Sequence, residues 1–238
     1  MRYDNEINLE YGTFLNLFLE NDYTFIFFNE LTSANNQIIL RHDIDFDCEL
    51  AYLMAKIESD INIKSTFFFL VSSDSYNIIS ESNYNYIKKI KDLGHQISIH
   101  FDPLVYNDYR NGLDKEVEIF QKIFGQDVEI ISLHRPNQFF LESNEPISGI
   151  AHTYQDKYFK NIKYFADSTG LWRFGNPLNS REFKERMSLQ VLVHPVWWIT
   201  KGANNKTKIK TNYLKKLEEI KNHYIKNCKS FSEVSDEN

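Results

Sequence analysis

Five segments of this sequence run apolar side chains straight into ionisable ones. Ile38-Ile39-Leu40 leads to Arg41-His42-Asp43-Ile44-Asp45, residues 96–99 to His100 and Asp102, residues 128–133 to His134 and Arg135, residues 164–166 to Asp167, and residues 189–193 to His194. Short apolar runs of this kind read as buried strands. Between them, residues 50–57, 84–93 and 113–124 carry helical spacing, and Gly94 and Gly125 close the last two, as glycine does at helix ends. Alternating strands and helices predict an α/β fold with a largely parallel sheet. In a β/α barrel the carboxy ends of the strands converge on one face, where chemistry sits. Buried charges need partners, so these strand-end residues are expected to be one another's partners.

The rest of the chain fits that frame. Residues 11–19 have helical spacing, residues 23–28 are β-rich, and residues 65–71 (STFFFLV) form a further buried strand whose Phe67, Phe68 and Phe69 are core. Residues 213–224 read as a Lys/Glu-rich helix with a solvated face, and the tail from about residue 231 is expected to be disordered. With neither repeats nor a low-complexity linker, residues 1–238 are expected to form a single domain. A net charge of −6 without a basic stripe argues against nucleic acid as the main partner. Cys48 and Cys228 are too far apart in sequence to suggest a metal or redox pair. The polar start lacks the apolar stretch of a signal peptide, and no apolar run approaches the ~18 residues of a membrane span. The expectation is a soluble, cytoplasmic protein.

Side chains at i and i+2 of a strand share a face, so Asp43 and Asp45 point the same way, ~7 Å apart. A lone Asp-x-Asp more simply caps a turn, with Arg41 neutralising it; five charged strand ends in series ask for more. Asp and His suit zinc or a similar divalent ion with an open position for water. Such an ion acidifies its water and polarises a carbonyl, and hydrolysis then needs a base and an acid. In this scheme Asp43 is the base, Asp45 and His100 are metal ligands, and His194 is the acid. Arg135 would pair with Asp43 and hold it ionised, and Asp167 would orient His194 and raise its pKa.

The same residues resemble a known family. Arg41-His42-Asp43-Ile44-Asp45, Gly94-His95-Gln96-Ile97-Ser98-Ile99-His100, Leu133-His134-Arg135-Pro136, Asp167-Ser168 and Leu192-Val193-His194-Pro195 fall in the order of the five motifs of the polysaccharide deacetylase family. This family is also called NodB-homology or carbohydrate esterase family four. The match spans residues 38–198 and is closest to a divergent branch reading RHD-x-D, GHEIG-x-H-x-D, HRP and HP-x-WW. The resemblance implies a distorted (β/α)7 barrel and metal-dependent removal of acyl groups from sugars. By position it implies Asp43 as base, Asp45 and His100 as metal ligands, Arg135 as the arginine bracing the base, and His194 as acid.

One departure concerns the metal. The family's second metal histidine falls four residues after the first, where this chain has Leu104. His134 is the preferred third ligand and Asp102 the next, Asp102 otherwise serving substrate. His42 is a further candidate ligand, although its side chain should alternate away from the Arg41 face, and His95 reads as structural. Trp172, Trp197 and Trp198 flank the site and are candidates for stacking on sugar rings, against the alternative that they pack the barrel's end. His152 and His223 read as surface or packing residues. The expected activity is a metal-dependent, most simply zinc-dependent, hydrolase that removes an N-acetyl or N-formyl group from an amino sugar or sugar conjugate, with surface polysaccharide synthesis as its setting. A catalytically inactive sugar-binding barrel and a hydrolase of non-sugar C–N bonds are the alternatives.

Overall fold

The computed structural model describes residues 6, 7 and 9–231. The chain divides into two compact units, Met1–Ile199 and Thr200–Asn238. The second holds the helix Asn205–Asn227, longer than the periodicity suggested because the Asn204 side chain caps it at Thr207 N. The tail beyond Phe231 lies outside the described residues.

Every candidate site residue belongs to the first unit. Its strands are β1 (Thr24–Ile26), β2 (Gln37–Ile44), β3 (Thr66–Phe69), β4 (Gln96–Phe101), β5 (Ile130–Leu133), β6 (Ala151–His152), β7 (Lys163–Ala166) and β8 (Leu189–Val193). All pair in parallel, in the order β6-β5-β4-β3-β2-β8-β7, with β1 added on β2. The two ends of that path curl toward each other. Tyr154, just after β6, and Tyr164, in β7, have ring centroids 6.2 Å apart, and Phe159 lies 5.0 Å from Tyr164. The result is a distorted β/α barrel, closed between β6 and β7 by aromatic rings instead of a ladder. The two-residue β6 was not expected, being too short to show periodicity.

Packing follows the two-residue period of the strands. Ile38, Leu40, Phe67, Phe69, Ile97, Ile99, Ile131 and Val191 join one cluster with Phe14 and Phe18 of α1 (Tyr11–Leu19), Met54 of α2 (Cys48–Asp60), Ile87 of α3 (Glu81–Asp92) and Phe120 of α4 (Tyr109–Phe124). On the inner face, Ile39, Phe68 and Ile130 join Ile26, Phe28 and Tyr158 in a smaller plug. Residues two and four positions beyond Ile39 on that face are Arg41 and Asp43, and Asp45 follows at the strand's mouth. Asp47 then caps α2, accepting from Glu49 N and Leu50 N at 2.9 and 3.3 Å, so the chain leaves the site at once and the carboxylates stay at its rim.

His42, on the opposite face, turns to the helices. Its Nε2 is 2.8 Å from Glu58 Oε1 of α2, and its Nδ1 is 3.3 Å from Val193 O. Tyr11 and Ser65 also donate to Glu58, and His95 Nε2 bonds Ala55 O at 3.1 Å. Burial raises the Glu58 carboxyl, but His42, His95 and Ser65 outweigh it and hold it below its usual range. His42 and His95 thus belong to a buried network that pins α2 to the sheet.

Candidate metal and acid–base site

Asp45, His100 and His134 bring ligand atoms together at the mouth of the barrel. Asp45 follows β2, His100 lies in β4 and His134 follows β5, and β4 and β5 pair with His100 opposite Ser132. His100 Nε2 lies 3.4 Å and His134 Nδ1 3.5 Å from Asp45 Oδ1, and the two nitrogens are 3.0 Å apart. Donors ~2.0–2.1 Å from a tetrahedral ion stand ~3.3 Å from one another, so the spacing fits a zinc-sized cation. Asp45 Oδ1 is shielded from solvent and accepts no hydrogen bond of normal geometry, which leaves it available as a ligand.

The proton arrangement also suits a cation. Burial raises the Asp43 carboxyl, but Arg41, His100, His194 and the Ser132 hydroxyl outweigh it and hold it below its usual range. Ionised, Asp43 only accepts, so Ser132 Oγ must give its single proton to Asp43 Oδ1 at 2.8 Å. The same oxygen is 2.7 Å from His100 Nδ1, and with its proton committed it can only accept there. His100 therefore carries a proton on Nδ1, and Nε2 is the atom it turns toward Asp45 and His134. Burial and the neighbouring His100 push the His134 imidazole down. Asp45, raised by burial but faced by His100, His194 and His134, is held at about 2.

Asp43 is braced by Arg41, not by Arg135. The Arg41 guanidinium, fully buried, donates to Asp43 Oδ2 at 3.0 Å and to Gln190 Oε1 at 3.2 Å. It lies 5.1 Å from the centre of the Tyr154 ring and 5.8 Å from that of Tyr164. Strand alternation explains the exchange, because Arg41 and Asp43 share a face. Arg135 instead takes a left-handed backbone (φ +49°) and pairs with Asp102. Asp102 is consumed there and in capping Leu104 N at 3.0 Å, so it joins neither the ligand cluster nor the cavity lining. Leu104 is 61% exposed, with its side chain in solvent.

His194 sits across the mouth, its Nε2 3.9 Å from Asp45 Oδ2. Asp167 Oδ1 lies 2.5 Å from His194 Nδ1, and both carboxylate oxygens accept from His194 N at 3.2 and 3.0 Å. Trp198 Nε1 donates to Asp167 Oδ2 at 2.8 Å. Burial lowers the imidazole's pKa, but the Asp167 carboxylate outweighs it, with Asp45 and Asp43 adding, and the pKa stands at about 9. At neutral pH His194 is a cation.

A cavity of about 510 Å³ opens over these groups, walled by Tyr154, Phe159, Tyr164, Phe174 and Trp197. Trp197 alone of the three tryptophans lines it. Trp172 is buried at 2% exposure and stacks on Phe14 at 5.6 Å, and Trp198 lies 4.8 Å from the same ring. Trp172 is therefore packing, and Trp198 positions Asp167; the expectation that either stacks on a sugar is corrected.

Compared with known proteins, the sequence matches no family model and no curated protein. Solved structures do resemble it. A family 4 carbohydrate esterase from Bacillus anthracis is 16% identical, covering 92% of this chain and 93% of its own, with a TM-score of 0.46. The chitin deacetylase of the fungal pathogen Colletotrichum lindemuthianum is 16% identical over 81% of this chain and 86% of its own, TM-score 0.45. A CE4 family pseudoenzyme from Bacillus anthracis is 16% identical over 80% of this chain and 66% of its own, TM-score 0.40. The chain is similar to family 4 carbohydrate esterases.

Sequence reasoning missed Ser132 and gave Arg41 only a neutralising part. The signal for Arg41 was present in the alternation of β2. A serine two residues before His134 in an apolar strand was the available hint for Ser132, since both then face inward.

Proposed function

We propose that this chain is a metal-dependent hydrolase that removes an N-acyl group from an amino sugar or sugar conjugate. The observation that carries the reading is the set of Asp45, His100 and His134 donor atoms 3.0–3.5 Å apart, flanked by an ionised carboxylate and a protonated imidazole. Asp45, His100 and His134 would hold the ion, and two imidazoles with a carboxylate suit zinc. When bound, the ion would supply an electrophile that polarises the acyl carbonyl and acidifies the attacking water.

The other groups divide the proton transfers. Asp43, kept ionised by Arg41 and Ser132, takes the proton of the attacking water. Held below the usual carboxylate range, it is a weak base, adequate only for an acidified water. His194, a cation at neutral pH, gives its proton to the departing amine nitrogen, and Asp167 steadies the imidazolium. Two titratable groups pushed in opposite directions, one carboxyl down and one imidazole up, suit a base and an acid working in one site. The aromatic walls of the cavity suit the apolar faces of a sugar ring.

Release of free amine from N-acetyl and N-formyl amino sugars by the zinc-reconstituted protein tests the proposal. Turnover that falls ~10²-fold or more in Asp43→Asn and in His194→Ala is the expected result. Full activity in Asp43→Asn would remove the assigned base, and no release of either acyl group would remove the reaction class.

A further inference from the structure

Acyl removal leaves the remainder of the substrate undefined, and the cavity wall away from the ligand cluster carries charge that the proposed chemistry does not use. Arg173, on the segment after β7, is exposed and lines the cavity. Among the described residues it has neither an ion-pair partner nor a hydrogen-bond partner. Arg135, on the segment after β5, lines the same cavity, 62% exposed, with Asp102 as its ion-pair partner. The left-handed backbone at Arg135 (φ +49°), and a second at Thr169 (φ +61°) in the same lining, mark two segments held in conformations that ordinary side chains disfavour.

Charge bookkeeping inside the cavity points one way. Among the described residues its carboxylates are Asp43 and Asp45. Asp43 is taken by Arg41 and Ser132, and Asp45 faces three histidines. Neither is left to neutralise Arg173. The chain as a whole carries −6, so two guanidinium groups at one cavity are not part of a generally basic surface. A guanidinium fork matches phosphate and carboxylate oxygens in pairs, whereas a neutral sugar would leave Arg173 facing only hydroxyls.

We infer that the amino sugar this cavity takes carries an anionic substituent, a phosphate ester or a carboxylate, bound by Arg173 together with Arg135. The inference rests on the sugar-binding part of the function proposed above and narrows it to acidic substrates. Phe174, beside Arg173, lies 5.8 Å from Tyr164, so the anion site adjoins the aromatic wall where the ring would rest.

Calorimetric binding to the full chain at low salt tests this, with three probes. These are the methyl glycoside of N-acetylglucosamine (neutral), N-acetylglucosamine 1-phosphate, and N-acetylglucosaminuronic acid. Wild type is expected to bind at least one acidic probe ~10-fold or more tighter than the neutral one, in line with charged hydrogen bonds, and the better acidic probe names the source of the anion. In Arg173→Gln that preference should collapse. In Arg181→Gln, which removes the same charge at an exposed ion pair with Glu185, it should persist. Equal affinities in wild type, a preference that survives Arg173→Gln, or no binding of any probe would each overturn the inference. Acid-selective binding without acyl release would count against the reaction alone, and acyl release without acid selectivity against the anion site alone.

Discussion

The Ser132 hydroxyl donates to Asp43 Oδ1 across 2.8 Å, and the same oxygen meets His100 Nδ1 at 2.7 Å. One hydroxyl thereby ties the candidate base to a candidate ligand and fixes the tautomer that points His100 Nε2 into the cluster. Groups that orient a metal-bound histidine in this way typically carry ~10–100-fold in metal affinity. Ser132→Ala is accordingly expected to weaken zinc binding by about that factor, measured by competition with a chromophoric chelator. An unchanged affinity would mean that the hydroxyl does not set the ligand.

The two arginines make opposite expectations. Arg41 is fully buried against Asp43, and removing one member of a buried pair costs ~3–5 kcal/mol because the other charge is left uncompensated. Arg41→Met should lose stability on that scale in urea unfolding. Arg135→Met, at an exposed pair, should lose ~1 kcal/mol or less. Similar losses in the two variants would contradict the assignment of Arg41 as the brace of Asp43.

His194 gives a pH expectation whose sign follows from linkage. Its folded pKa, about 9, stands above the ~6.5 of a free imidazole, so the folded chain binds the proton more tightly than the unfolded one. The resulting stability is fully present below ~6.5 and is lost as pH rises through about 9. In the metal-free protein the imidazole should titrate near pH 9 by proton NMR, and in Asp167→Asn it should move toward neutral pH. A titration near the free value in the unaltered chain would show that Asp167 does not hold the proton.

Much of the fold was legible because alternation survives in isolated strands. β2 and β4 could be read as runs that put Asp43, Asp45 and His100 at one end. What could not be read was which strands are neighbours. His134 competed with Asp102 because sequence does not say that the segment after β5 folds in beside His100, while a left-handed turn at Arg135 swings that side chain over to Asp102. Trp172 and Trp198 lie close to the site in sequence, but both turn toward Phe14 of α1. Nearness along the chain carries no information about which way a ring points. Arg41 was misjudged in favour of the family's motif, although the two-residue period already placed it beside Asp43.

The central claim is that Asp45, His100 and His134 form one metal site. Equilibrium dialysis of the purified chain and of its Asp45→Ala and His134→Ala variants against zinc, with metal and protein both quantified, tests it most directly. The expected result is about one zinc per wild-type chain, as for a closed set of three protein ligands with an open fourth position, lost from both variants. Zinc retained undiminished by His134→Ala, or absent from wild type after reconstitution, would contradict it.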